Sequence, residues 1–107
     1  MAKQITLNYK GVDYILEFNR KIVRRMEEGG FTIDTNKPAT MITELFRGAF
    51  QMHHKRVPPE TIEEIWDAQR NKDGLLTALV SMYTEPIAAL MDEGEAEEND
   101  TPTWKLL

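Results

Sequence analysis

The residues whose types could do chemistry are few: two adjacent histidines, His53 and His54, one serine, Ser81, and three local groups of like charge. The histidines close an apolar stretch, 38–54, that reads as helix. Neighbours on a helix diverge by about 100°, so the two imidazoles cannot chelate one metal together. A histidine acting as general base needs a nucleophile or cofactor beside it. Ser81 lies between Val80 and Met82 in a helical pattern of its own. The carboxylate pairs Glu27-Glu28 and Glu63-Glu64 diverge like the histidines and read as solvated surface. Gly29-Gly30 lacks the GxGxxG or GxxxxGK[ST] surroundings of a phosphate loop, and neither HExxH nor a calcium-type acidic loop occurs. Cysteine is absent, which excludes a disulfide framework, a thiol nucleophile and a cysteine metal site. The expectation is a protein that is not an enzyme and takes no cofactor or metal.

The third group is basic. Arg20, Lys21, Arg24 and Arg25 fall within six residues and could meet phosphate. The same segment ends in Glu27-Glu28, however, and the chain carries a net charge of −5. That net hides a split: residues 1–56 hold 10 basic and 6 acidic side chains, residues 57–107 hold 3 and 12. Such a split either orients the molecule toward a partner or reflects solvated faces of different sign.

The elements that must position these residues are legible from period. A length of 107 residues, 41% hydrophobic and 29% charged, is that of one ordinary globular domain. Residues 4–18 alternate as a β-hairpin. A two-residue loop at Lys10-Gly11 pairs Tyr9 with Val12, Leu7 with Tyr14 and Ile5 with Leu16, leaving only Ile15 off the apolar face. A four-residue loop over 8–11 keeps the same face. A lone hairpin is marginal in water and must lie on helices. Asn19 caps a helix over 20–28, with Ile22, Val23 and Met26 inward and Gly29-Gly30 at its end. The central helix, 38–54, pairs Met41/Ile42, Leu45/Phe46 and Ala49/Phe50 before Met52, and Pro38 suits its first turn. A further helix covers 59–70 with Ile62, Ile65 and Trp66 on one side. Asp73 then caps a helix over 75–91, in which Pro86 predicts a kink or break near residues 83–85. The predicted core is Leu7, Tyr14, Leu16, Val23, Leu45, Phe46, Phe50, Ile65, Trp66, Leu79 and Val80.

The fold class is therefore α+β: an N-terminal β-hairpin packed on a helix-dominated domain of four or five helices, spanning 1–91. An acidic flexible tail, 92–107, follows. Six of the nine residues 92–100 are acidic and none is large and apolar, so that stretch is expected to be disordered. It leads only to an isolated Trp104, Leu106 and Leu107. No signal-like apolar run begins the chain, and none approaches the roughly 18 residues that span a bilayer. A soluble, cytoplasmic protein without a membrane partner is expected. Met41, Met52, Met82 and Met91 lie on apolar helix faces, where methionine fills core gaps or builds adaptable binding surface. Residues 75–91 carry more apolar side chains than one face of a small domain requires.

The order ITLNYKGVDYILEFNRKIVRRMEEGGF, KPATMITELFRGAFQMHHK and IWDAQRNKDGLLTALVSMYTEPIAALMDE, with an acidic tail, resembles the small tail assembly chaperones of long-tailed bacteriophages and prophages. The resemblance covers residues 4 to about 93. It implies a protein of the host bacterial cytoplasm, absent from the mature virion. Its partners would be the long helical tape measure protein, which it keeps soluble, and tail-tube subunits polymerising around that protein. Many members of that family are made in two forms through a ribosomal frameshift, so the acidic stretch would join this domain to a second one. A plain solubilising tail is the alternative. No family binding residues carry over. From the apolar excess alone, client contact is expected at Leu76, Leu79, Met82, Tyr83, Ile87 and Leu90, with self-association through the same surface. The rival reading is a small phage or prophage regulator binding nucleic acid through the basic helix 20–28. A structural subunit that stays in the particle is a third.

Overall fold

A computed structural model describes residues 4–94 and 103–107. The architecture is α+β: an N-terminal antiparallel hairpin followed by four helices among the described residues. The hairpin pairs β1 (Ile5–Tyr9) with β2 (Val12–Leu16) in the two-residue-loop register, Tyr9 opposite Val12 and Ile5 opposite Leu16. Lys10 and Gly11 both take positive φ, 52° and 80°, as a tight turn matched to strand twist demands. Asn8 supports it, its Oδ1 accepting from the Gly11 N–H at 3.3 Å and its Nδ2 donating to Asp13 at 2.9 Å. Tyr14 and Leu16 are buried and Val12, beside the turn, is half exposed.

Helix α1 (Arg20–Glu28) starts where Asn19 Oδ1 accepts the Ile22 N–H at 2.8 Å. At its far end the Gly30 N–H bonds Glu27 O and the Phe31 N–H bonds Met26 O. This double closure places the residue after the cap in the left-handed region, and Gly30 sits there at φ 96°. Helix α2 (Pro38–Ala49) begins at its proline but stops five residues short of the His54 expected. Competition for a carbonyl explains the difference. Ile15 and Glu17 turn their N–H groups away from β1 and need acceptors. Ala49 O, which would accept from His53 in a longer helix, accepts from Glu17 N at 3.1 Å instead. His54 Nε2 accepts from Ile15 N at 2.9 Å. The end of α2 thus closes the outer edge of β2, and the histidines lie in a turn rather than on a helix.

Helix α3 (Pro59–Ala68) ends before Arg70 because Gln69 is extended; the Gln69 and Lys72 side chains donate to the terminal carbonyls of Ile65, Asp67 and Gln69. Helix α4 (Lys72–Ala89) starts earlier than expected. Asn71, not Asp73, is its cap, held left-handed at φ 52° with its side chain accepting from Gly74 N at 3.2 Å. Pro86 neither breaks nor ends α4, which runs on to Ala89. The lost bond falls in the last turn, while Met82 and Tyr83 just before it are locked in the core.

One core joins all six elements. Leu16, Leu45, Phe46, Phe50, Ile65 and Leu79 are its fully buried centre. Edge-to-face rings run from Trp66 through Phe46 to Phe50, with centroids 5.0 and 5.1 Å apart, and Tyr14 follows at 5.6 Å. Leu7, Trp66 and Val80, expected inside, are half-buried against this centre. Asp92, Glu93 and Gly94 are exposed, as are Trp104, Leu106 and Leu107. The expected disorder of 95–100 lies outside the described residues.

Candidate partner-binding surface

The structure divides the six residues expected to meet a client. Leu79, Met82 and Tyr83 are core side chains, 0–3% exposed, and are withdrawn from any surface. Tyr83 is wedged edge-to-face between Phe18, at 5.4 Å, and Phe31, at 5.2 Å. Burial, and secondarily the charge of Glu27, raises its phenol above the usual value. Leu76 is half-buried against the core. Ile87 and Leu90 are exposed. The reason is geometric. On one helical stripe, Leu79, Tyr83, Ile87 and Leu90 follow at spacings of four, four and three. Packing against α1 and α2 buries only the first two. Exposure climbs past the core from 3% at Tyr83 to 36% at Ile87, 57% at Leu90 and 84% at Met91. The stripe outruns its partners by a full turn.

Helix α1 forms the wall beside this overhang. Its Ile22 and Val23 are buried, whereas Arg20, Lys21, Arg24 and Arg25 all face solvent. Arg20 donates to Ala89 O at 3.5 Å, placing a cation at the C-terminal, partially negative end of α4. Between the helices lies a groove of about 210 Å³ with Val23, Pro86, Ile87 and Leu90 as apolar lining and Arg20, Arg24 and Glu27 along the α1 rim. Single i→i+3 bonds carry the backbone past α4 as far as Asp92.

A second concavity, about 380 Å³, opens between α2 and α3 over Ile42, Phe46, Ile62 and Trp66, with Arg47 on one rim and Glu63 and Asp67 on the other. Sequence reasoning missed this cleft. The signal was available, since Ile42 and Trp66 lie beside the buried positions of their helices and so flank the seam.

The candidate chemical residues are spent on structure. His54 Nε2 is the acceptor for Ile15. His53 Nε2 lies 2.7 Å from the Glu17 carboxylate, which also accepts from Gln4 at 2.9 Å. The His53 hydrogen bond first, then that of Gln4, holds Glu17 below the usual carboxylate value. Ser81 faces solvent on α4, and its carbonyl accepts from the Thr84 hydroxyl. Among the described residues no group of three or more His, Asp or Glu side chains is placed to hold a metal ion, and no helix is long and apolar enough to cross a membrane.

A family model described as Domain of unknown function (DUF5055) matches residues 1–106. The chain belongs to the DUF5055 family. No curated protein and no solved structure matches it. The match takes in the hairpin, all four helices, the overhanging end of α4 and the basic wall of α1, so each surface described above lies within the DUF5055 domain.

Proposed function

We propose that this chain is a non-enzymatic tail assembly chaperone of a long-tailed bacteriophage or prophage. It works in the host cytoplasm, stays out of the finished virion, holds the tape measure protein soluble and hands it to tail-tube subunits. The client surface is the overhang of α4, reduced from the six residues expected to Ile87 and Leu90 and extended by Met91; Leu76, half-buried about three turns earlier, is not part of it. One observation carries the reading: an apolar helical stripe that continues beyond the core into solvent. Exposed apolar side chains in sequence at helical spacing are what an amphipathic client helix docks against. The resemblance of residues 4 to about 93 to such chaperones gives the client its identity.

Coexpression is the test. The tape measure protein encoded beside this chain should be soluble with it and insoluble without it, and Ile87→Asp with Leu90→Asp should abolish the rescue while leaving the chaperone folded. Equal insolubility of the client in both cases refutes the proposal, and this chain found in purified particles by mass spectrometry refutes its absence from the virion. The rival, a nucleic-acid-binding regulator, is favoured by the four solvent-facing cations of α1.

A further inference from the structure

The basic face of α1 and the apolar overhang of α4 are adjacent walls of one groove. We infer that this groove selects an amphipathic helix whose apolar stripe is edged by acidic side chains, and that Arg20 and Arg24 of α1 are its specificity rim rather than part of a phosphate-binding face.

The groove's geometry supplies the argument. Arg20 and Arg24, one turn apart on α1, stand over a lining of Val23, Pro86, Ile87 and Leu90. A helix laid along that lining would put residues spaced i, i+4 on its edge opposite the two guanidiniums. Carboxylates there gain paired charges; lysines there meet like charge in a partly desolvated slot. A nucleic-acid backbone offers phosphates to the rim but nothing apolar to Ile87 and Leu90. An acidic-edged helix satisfies both the rim and the lining.

This inference rests on the reading of the overhang as the client surface, but synthetic probes separate the two. Two fluorescein-labelled helices of about 14 residues, roughly four turns, would share one leucine stripe. One is edged by glutamate and the other by lysine. Fluorescence anisotropy against the full chain is read at about 0.15 M salt, where only charges within ~8 Å act strongly. The glutamate-edged helix should bind about five- to tenfold more tightly, the worth of two exposed ion pairs. Arg20→Glu with Arg24→Glu should invert that order. Leu90→Asp, at an exposed site, should leave the circular dichroism spectrum intact and remove binding of both. Equal binding of the two helices, no binding of either, or an order unchanged by the charge reversal overturns the inference. Duplex DNA that binds more tightly than either helix, and is lost on the same reversal, overturns it in favour of the nucleic-acid reading. Failure with these probes while the tape measure protein is still rescued would sink the charge preference and leave the chaperone proposal standing.

Discussion

Replacing His54 by phenylalanine isolates one hydrogen bond. His54 Nε2 accepts the Ile15 N–H at 2.9 Å in a part-buried setting, while its ring packs edge-on against Tyr14 with centroids 5.1 Å apart. Phenylalanine keeps a flat ring for Tyr14 and removes the acceptor. An amide left without a partner costs about 1–3 kcal/mol when buried; at a half-buried site the lower half of that range applies, about 1–2 kcal/mol. His54→Ala also forfeits the ring contact, worth about 0.5–1.5 kcal/mol, and should cost roughly 2–3 kcal/mol in all. For a domain of this size about 1 kcal/mol lowers Tm by roughly 4–8 °C, so the phenylalanine variant should melt some 4–16 °C early. Urea unfolding at neutral pH measures the free energy, and hydrogen exchange at the Ile15 amide locates it. The Ile15 amide should exchange faster in both variants while the amides that bond across the hairpin keep their order. A cost below about 0.5 kcal/mol in His54→Phe, with Ile15 exchange unchanged, would show that the histidine only fills space.

Three further outcomes follow from packing, capping and charge. Phe46→Ala removes a ring that is 1% exposed and touches Phe50 and Trp66 edge-on, and should cost about 3–5 kcal/mol by chemical denaturation. Asn71→Ala loses the cap on Gly74 and forces a left-handed alanine, for roughly 2 kcal/mol, whereas Asn71→Gly should cost only a few tenths; equal losses would mean that the conformation does not matter. Glu17 titrates lower folded than unfolded, so its contribution is complete above the unfolded value near 4.5 and is lost as pH falls through the lower folded one. The Tm gap between the parent and Glu17→Gln should therefore be open at pH 6 and narrow below about pH 4.5, and a gap that widens in acid would contradict the pairing with His53 and Gln4.

What was legible in the chain was whatever is decided locally. Alternation gave the hairpin its apolar face, with the Lys10-Gly11 turn one of the two loops it allowed, and Asn19 with Gly29-Gly30 bounded α1 to the residue. Where the reading slipped, a distant group had intervened. The apolar pattern of α2 continues through Phe50 and Met52, but β2 claims the carbonyl of Ala49. Pro86 lost its power to break α4 because Met82 and Tyr83 were already fixed by the core. The candidate surface suffered most. Period places Leu79, Tyr83, Ile87 and Leu90 on one stripe, yet burial depends on how far the neighbouring elements reach, and nothing in the spacing tells that. Equally, the histidines read as the end of the central helix, and their place against β2 required knowing that the strand has an open side.

That closed side of β2 also bears on strand-to-strand association between copies. A two-stranded sheet offers two lines of unpaired backbone donors and acceptors, and each invites another chain to add a strand. Here one line is taken by Ala49 and His54, residues 32 and 39 positions downstream of their partners. Any strand joining from outside is left with five-residue β1, whose exposed side chains are Thr6 and Asn8. A protein that displays apolar side chains at the end of α4 can thereby offer sticky surface of helical shape while giving β-type aggregation little to grow from.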